Sequence, residues 1–481
     1  AFDWSNFFGD VSLVDEILRQ DVLFASMDFA TRDRYRHRIE ELSRSSKFTE
    51  QEIARAVVIN PGYYLIGDGK YEFEKSIQFR ARFRTLMERW YVRNGTFVYL
   101  SLISIFTLML TLLVGLIVIP TLSLSDLNFI NSIVLILTAL VASEIVIAIV
   151  NRWTVALLGP KHLPRLNFEK GLPDELRTCI VVPTMFTDAS KIKEQLEQIE
   201  IHYLSNQDNN IYLALLTDFR DSKNETTESD ENIILTAKRE LQQLNERHPV
   251  LPNQHPRFSI YHRRRLFNPH EGCWMGWERK RGKLHEFNRL LLGAQDTSYG
   301  NYFDEELRVP KNIRYVITLD ADTKMPRGTA QQLVGAMAHP LNQPIYDESI
   351  GRVVSGYTIL QPRITPSLAP THENTIFRKL SASRSGIDPY ASAVSDVYQD
   401  LFEQGSFTGK GIYDVAVFEK VMLNKIHQNT ILSHDLLEGN LCRCGFLSDV
   451  EFFEDFPSHT GVATLRSHRW IRGDWQLLPW I

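Results

Sequence analysis

Two stretches of this chain, residues 97–119 and 129–150, limit what it can fold into more than anything else in it. The first carries no charge and no proline, and the second is equally apolar apart from Asn131 and Glu144. At 1.5 Å of rise per residue, each is long enough to cross a hydrocarbon core, which takes about 20 residues. Helices buried in a soluble domain seldom stay apolar on every face over such a length, so both stretches are predicted to span a membrane. Their position in the chain excludes a secretory signal. The mean hydropathy, −0.19, hides them because the polar remainder outweighs them.

Residues 120–128 hold one charge, Asp126. By contrast, Lys75, Arg80, Arg82, Arg84, Arg89 and Arg93 precede the first stretch, and Arg152, Lys161 and Arg165 follow the second. The positive-inside bias then places both long flanks in the cytoplasm and the connection outside. Glu144 within a span is costly unless it faces protein or water, so partner helices are expected, further spans of the same chain among them. The chain does not start with Met, and its end, DWQLLPWI, becomes apolar just as the residues run out, which reads as a piece of something longer. Three units result: a cytoplasmic helical region 1–96, a transmembrane pair 97–150 and a cytoplasmic domain 151–481.

In region 1–96 the segments SLVDEILRQ, ATRDRYRHRIEELSR and TEQEIARAVV have helical apolar spacing, and Thr49 with Glu52 forms a capping box. FEKSIQFRARFRTLMERW is expected to be one basic juxtamembrane helix, able to touch anionic lipid or simply to present a solvated face. Lys and Arg number 53 against 58 Asp and Glu, a net charge of −5. Nothing in that balance pulls the chain toward nucleic acid. Cys179, Cys273, Cys442 and Cys444 are too few for a disulfide scaffold and lack zinc-knuckle spacing, so they are read as free thiols in a reducing compartment.

From about residue 172, apolar strands alternate with amphipathic helices, the pattern of a mostly parallel α/β sheet. The strands are RTCIVVPT, IYLALLT, RFSIYHR and IRYVITLD, and the helices include ASKIKEQLEQIEIHYL and ENIILTAKRELQQLNE. Ligands of such sheets bind beyond the carboxyl ends of the strands. The residues expected there are acids: Asp188, then Asp218 and Asp221, then Asp320 and Asp322. No Gly-rich phosphate loop follows the first strand, which speaks against dinucleotide-binding and P-loop chemistry.

YVITLDADT sets Asp320 and Asp322 two residues apart at a strand end, where a DxD can hold Mg²⁺ or Mn²⁺ bridging to the phosphates of a nucleotide. A solvated turn is the alternative. The aspartyl-phosphatase motif DxDxT needs Thr at position 324, which is Lys324. Downstream, SHDLLEG offers Asp435 and Glu438, a segment able to supply a base to an acceptor hydroxyl. LRSHRWIRGDW offers Arg466, Arg469 and Trp470 for a diphosphate and a sugar ring. Between them GSFTGKGIYD carries Gly409 and Gly411, which permit close backbone approach to a ligand. Each has a bland counterpart: a helix N-cap, a packed stack, a turn.

The order DxD, a TED-like acid and (Q/R)xxRW resembles that of processive, membrane-embedded sugar-polymer synthases with a GT-A fold. The strings MDFATRDRYRH, HRRRLFNPHEGCWMGWERKRGKLHEFNRLL, YASAVSDVYQDLFEQGSFTGKGIYD and HRWIRGDWQLLPW narrow this to a likeness to cyclic β-1,2-glucan synthases over nearly the whole chain. That resemblance implies a GT-A-like nucleotide-sugar-binding sheet, UDP-glucose as donor, a divalent metal (Mg²⁺ or Mn²⁺) and inverting transfer onto a β-glucan chain. The setting it implies is a multi-pass protein of the bacterial inner membrane with a cytoplasmic catalytic domain. It assigns Asp322 and Asp320 to metal and diphosphate, Asp435 as general base, and Arg466, Arg469 and Trp470 to the donor and acceptor sites. Lys283 matches a lysine near the diphosphate, Asp188 and Asp218 match acids that meet uracil or ribose, and Gly409, Gly411 and Trp470 fall on the acceptor side. Arg466 stands where many relatives have Gln, and His434 where they have Glu. Family members are larger, with more spans and a phosphorylase-like domain, so this chain corresponds to their synthase portion.

A synthase of another linkage and a silent sugar-nucleotide sensor are the competing readings, and intact Asp320, Asp322, Asp435 and Arg469 speak against the sensor. The family is described as building glucan on the protein itself. The favoured priming hydroxyl is Tyr390, between Gly386 and the segment holding Gly409, whereas Tyr398 sits in an apolar helical pattern expected in the core.

Overall fold

The computed structural model describes residues 7, 9, 11–118, 129–251, 254–303, 306–367, 375–377, 396–431, 433–455 and 457–480. The first core is helical. Helix Phe29–Arg44 presents Tyr35, Ile39 and Leu42 to Ile53, Ala54 and Val57 of helix Glu50–Val57. Thr49 caps the latter as expected: its hydroxyl accepts from the Glu52 N–H (3.3 Å), and the Glu52 carboxylate accepts from the Thr49 N–H (2.8 Å).

The basic stretch before the membrane is two helices rather than one, Lys70–Ser76 and Phe83–Arg93. The first closes on Gln78 at φ 51°, with the Phe79 N–H donating to the Glu74 carbonyl (2.9 Å), a Schellman closure made without glycine. Glu74 is buried and paired to Arg38 and Arg89, so one of the presumed surface arginines is consumed internally.

Helices Gly95–Val118 and Phe129–Leu158 pack side by side, the second continuing two turns past residue 150. Phe97 is 77% exposed and Ile130 69%, an arrangement that a soluble core helix would not tolerate over this length. With their length and composition, this makes the pair the membrane-facing part of a membrane protein. Residues 119–128, Asp126 among them, lie outside the described residues. Glu144 is on the exposed side of the second helix. At one end, Tyr99 donates to Asn151 (2.7 Å), and helix Val397–Phe402 seats Leu401 against the pair. Tyr398 is helical as expected but 40% exposed; Val397 and Leu401 take the buried positions instead, because the apolar face of this short helix points at the spans.

The remaining chain folds around a curled eight-stranded sheet. Its strands are β1 (Thr178–Phe186), β2 (Ile211–Phe219), β3 (Phe258–Arg263), β6 (Tyr315–Thr318), β7 (Thr323–Lys324), β10 (Ile359–Pro366), β11 (Gly411–Asp414) and β12 (Cys444–Glu454), in the order β3-β2-β1-β6-β11-β10-β12-β7. Two hairpins, β4 (Leu266–Asn268) with β5 (Cys273–Met275) and β8 (Ile345–Asp347) with β9 (Arg352–Ser355), stand apart. The four strands expected from sequence are parallel neighbours. The sheet as a whole is mixed, its longer pairings parallel as expected, β10 with β12 among them, while β11 runs antiparallel to both β6 and β10, and β7 to β12.

Helices Ala189–Ser205, Asp230–Arg247 and Thr329–Ala338 cover one face, with Ile192, Leu196, Ala237 and Leu333 in the core they share with β1 and β2. Helices Arg279–Leu291 and Val415–Met422 cover the other, through Phe287, Leu290, Phe418 and Val421. The chain leaves β1 toward β2 and β3, then returns on the other side of β1 as β6. Their carboxyl ends therefore form a switch point, where loops diverge and leave a crevice. All four cysteines are free, three of them buried.

Candidate active site

Asp320 and Asp322 follow β6 directly, at the switch point. The turn is closed by the Asp320 N–H donating to Thr323 Oγ1 (3.2 Å) and the Thr323 N–H donating to the Asp320 carbonyl (3.1 Å). β7 starts at once and pairs with β12, opposing Thr323 to Glu454. That pairing brings a third acid to the pair: one oxygen each of Asp320, Asp322 and Glu454 lie within 4.8 Å of one another. Glu454 is missing from the sequence reading. Its one signal is that it ends the apolar run of VEFFE, as Asp320 ends that of YVITLD.

Three cations surround the acids. Lys280 Nζ lies 2.6 Å and Lys410 Nζ 3.3 Å from the two oxygens of Asp320. Lys410 also pairs with Glu454, and Arg466 approaches Glu454 at 3.6 Å. Burial would raise the Asp320 carboxyl, but Lys280 and Lys410 more than reverse this and hold it well below the carboxylate range. Asp322 goes the other way: burial, then the charges of Glu454 and Asp320, push its carboxyl up. A carboxylate raised by its own neighbours is short of positive charge, and oxygen donors at this spacing suit a hard divalent cation. The residues present therefore fit such an ion, with Asp322 the freest ligand, because both oxygens of Asp320 already face lysine and those of Glu454 face Lys410 and Arg466.

Asp435 opens helix Asp435–Cys442. Behind it the buried His434 places Nδ1 2.9 Å from Glu438 and 3.5 Å from Asp435. Burial alone would lower the imidazole, but Glu438 and Asp435 outweigh it, so His434 is held toward its charged form. Gly409, at φ +81°, lies flat against Asp435: a Cβ there would be 2.5 Å from Oδ1. Lys280, besides its pair with Asp320, donates to the Gly409 carbonyl (3.1 Å). One lysine thus ties the acid trio to the loop that holds Asp435. Gly411 answers to the sheet instead, since its Cβ would meet the Leu360 carbonyl at 2.3 Å.

Helix Thr460–Trp475 carries Arg466, Arg469 and Trp470. Gly473 anchors it, pressed so closely on Ser433 that a Cβ would lie 2.3 Å from the serine Cβ. Arg466 stacks over the Trp470 ring at 4.5 Å while facing Glu454. Trp470 is 38% exposed, and Arg469 points outward with no ion pair among the described residues.

The remaining sequence-derived residues sit elsewhere in the crevice. Asp218 is within β2, not after it, and both its oxygens bind Arg263 (2.7 and 2.9 Å), with Lys283 Nζ 3.1 Å away. Lys283 also donates to the Thr184 carbonyl. It and Lys280, three residues apart on helix Arg279–Leu291, therefore divide: Lys283 enters this buried cluster and Lys280 reaches the DxD. Asp188 caps helix Ala189–Ser205 and accepts from Ser190 (2.6 Å), the Lys191 N–H (3.0 Å) and Thr187 (2.8 Å), which hold its carboxyl down at about 2. Tyr390 and Gly386 lie outside the described residues.

No protein-family model matches the chain. It is similar along its whole length to the cyclic beta-(1,2)-glucan synthase NdvB of Rhizobium meliloti (strain 1021), with 39% identity over 504 aligned residues covering 100% of this chain. The match spans 17% of that larger protein.

Proposed function

We propose, from the premise that this chain is a cyclic β-glucan synthase-related protein, that it transfers glucose from UDP-glucose to a growing β-1,2-glucan with inversion at the anomeric carbon, on a sheet of GT-A type. The observation that carries the reading is the acid trio Asp320, Asp322 and Glu454 joined through Lys280 to the Gly409 loop that lies against Asp435. It sets a cluster of acids and cations near a base, which is what displacement at a glycosyl diphosphate requires.

In this reading Asp435 takes the proton of the acceptor 2-hydroxyl as its oxygen bonds to the anomeric carbon. The bond to the diphosphate oxygen breaks, and its electron pair leaves with UDP. Lys280, Lys410 and Arg466 offer positive charge to that departing diphosphate. A Mg²⁺ or Mn²⁺ on Asp322, Glu454 and Asp320 would supply the further Lewis acidity such leaving groups need. His434 and Glu438 hold the start of the Asp435 helix, and Gly409 gives Asp435 room.

Asp188, Asp218 and Lys283 line the donor side, and Arg469 and Trp470 remain with donor and acceptor. The helix pair sits in a bacterial inner membrane, with the flanks cytoplasmic and residue 126 outside. Further spans and a phosphorylase-like domain would complete the full-length protein. Glucan linked to the chain itself would start on Tyr390, and finding hexose on its peptide after incubation with UDP-glucose tests that separately.

The experiment that tests the main reading is linkage analysis of product made by the purified protein in membranes from radiolabelled UDP-glucose. β-1,2-linked glucose is the expected product. No incorporation, or incorporation solely in another linkage, overturns it.

A further inference from the structure

Helix Phe83–Arg93 carries Phe83, Leu86, Met87 and Trp90 at the i, i+3, i+4, i+7 spacing of a single helix face, and all four stand in the open, Phe83 77% and Trp90 61% exposed. The other side of the same helix is committed to protein. Tyr91 is buried and its hydroxyl meets Thr154 Oγ1 at 2.8 Å, Arg89 makes two bonds of 2.7 Å to Glu74, and Arg84 donates to Glu88 (2.8 Å) and to the Leu157 carbonyl (3.3 Å). The apolar stripe is thus held in place against the end of helix Phe129–Leu158.

That end has a definite depth. Residues 129–150, at 1.5 Å each, run about 33 Å and fill the roughly 30 Å of a hydrocarbon core. The charged Arg152 follows at once, and Trp153 beside it is exposed. An arginine and an exposed indole at the end of a span mark the headgroup layer, so Thr154, Leu157 and the helix bonded to them stand at that layer. In sequence the exposed apolar residues continue past the Asn94 cap into Phe97 and Leu100 of the membrane-facing helix Gly95–Val118. Around the stripe Arg80, Arg82 and Arg93 are exposed, with no ion pair among the described residues.

An apolar face alone would suit many partners, but its depth and its unpaired arginines select one. We infer that helix Phe83–Arg93 lies in the surface of the bilayer, with Phe83, Leu86, Met87 and Trp90 among the acyl chains and Arg80, Arg82 and Arg93 against the phosphates of anionic lipid. The two helices of the basic stretch thereby divide their work: Lys70–Ser76 turns Phe73 and Glu74 into the helical core, and Phe83–Arg93 meets lipid. Through Arg89 with Glu74 and Tyr91 with Thr154, the interfacial helix ties the N-terminal helical region to the membrane. The assignment is independent of the transferase reading and of which side of the membrane these residues occupy.

The test places a nitroxide label at Leu86→Cys and, separately, at Met87→Cys, both exposed positions where a label displaces no packing. The full chain is reconstituted into phosphatidylcholine nanodiscs with and without phosphatidylglycerol. Cys273→Ser removes the native thiol that is not buried, and Glu50→Cys, exposed in the helical region, is the water reference. Collisions with oxygen, which concentrates in acyl chains, and with a nickel chelate, which stays in water, give the depth of each label. Both positions should read about 5–10 Å below the phosphates when phosphatidylglycerol is present, and shallower without it. Combining Arg80→Gln, Arg82→Gln and Arg93→Gln should remove that dependence on phosphatidylglycerol. Nickel collisions at both positions as frequent as at Glu50→Cys would put the helix in water and overturn the inference. Labels shielded from oxygen and nickel alike would also overturn it, the face then being covered by protein, whether a second copy or further spans. A depth unchanged by phosphatidylglycerol, or a lipid effect that survives the three substitutions, would overturn the assignment of the arginines to anionic lipid.

Discussion

Replacing Gly409 by alanine puts the proposed catalytic geometry to its sharpest test. The added Cβ would lie 2.5 Å from Asp435 Oδ1 and 2.8 Å from Oδ2. Ordinary contact begins near 3.4 Å, so the carboxylate must retreat by about 0.9 Å, and a misplacement of about 1 Å in a reacting group costs roughly 100-fold in rate. That factor is about 2.7 kcal/mol in the barrier. Separately, the φ of +81° costs an L-residue about 1–2 kcal/mol of stability. Gly409→Ala should therefore remain folded in detergent, melt slightly earlier and bind UDP-glucose normally while turning over about 100-fold more slowly. Steady-state transfer alongside equilibrium donor binding reads both quantities. A folded Gly409→Ala protein transferring glucose at the normal rate would refute the assignment of Asp435 as base. Gly411→Ala is the control, because its strain falls on the Leu360 carbonyl and should appear in melting temperature and not selectively in turnover.

The two lysines of helix Arg279–Leu291 should separate cleanly. Lys283→Met breaks a buried cluster with Asp218 and Arg263 and should cost about 3 kcal/mol of stability in chemical denaturation, whereas Lys280→Met should chiefly reduce glucose transfer. Asp322→Asn should abolish divalent-ion-dependent transfer yet raise the melting temperature measured in chelator, since burial, and then Glu454 and Asp320, destabilise the charged Asp322 carboxylate; a lower melting temperature would contradict the charge balance described. Asp396, which caps helix Val397–Phe402, has its carboxyl pushed up to about 6 by burial. A folded-state value above the unfolded one favours the neutral form, so its contribution is full below about pH 4 and lost as pH rises through 6. Asp396→Asn, which keeps a capping oxygen, should accordingly stabilise the protein at pH 8 by on the order of 2 kcal/mol and leave it unchanged at pH 4. Equal effects at both values would exclude the titration.

Much of the domain was legible because its signals are local. β1 and β2 are built on apolar runs, CIVV and IYLALL, helices Ala189–Ser205 and Asp230–Arg247 repeat their apolar residues at helical spacing, and Thr49 with Glu52 spells a cap over four positions. β10 was not legible: Gln361, Pro362 and Arg363 interrupt it, and these residues are accommodated only because β12 shifts register beside them. The split of the juxtamembrane helix was equally hidden, since its closure falls on Gln78, a residue with no glycine's freedom, beside a Glu74 that pairs with Arg38, 36 residues away.

By itself the sequence determined the membrane-facing pair, the parallel half of the sheet, the DxD at the end of β6 and the order of the later motifs, because each follows from the periodicity or chemistry of neighbouring residues. Only the tertiary structure decided which lysine meets Asp320, that Glu454 joins the acids, and that Gly409 serves Asp435 while Gly411 serves the sheet. Lys280 and Lys283 differ by one turn of helix, and only the packing of that helix on β1 and β2 turns one toward Asp218 and the other toward the DxD. Glu454 lies 132 residues beyond Asp322 and arrives through a two-residue strand pairing that no local pattern encodes.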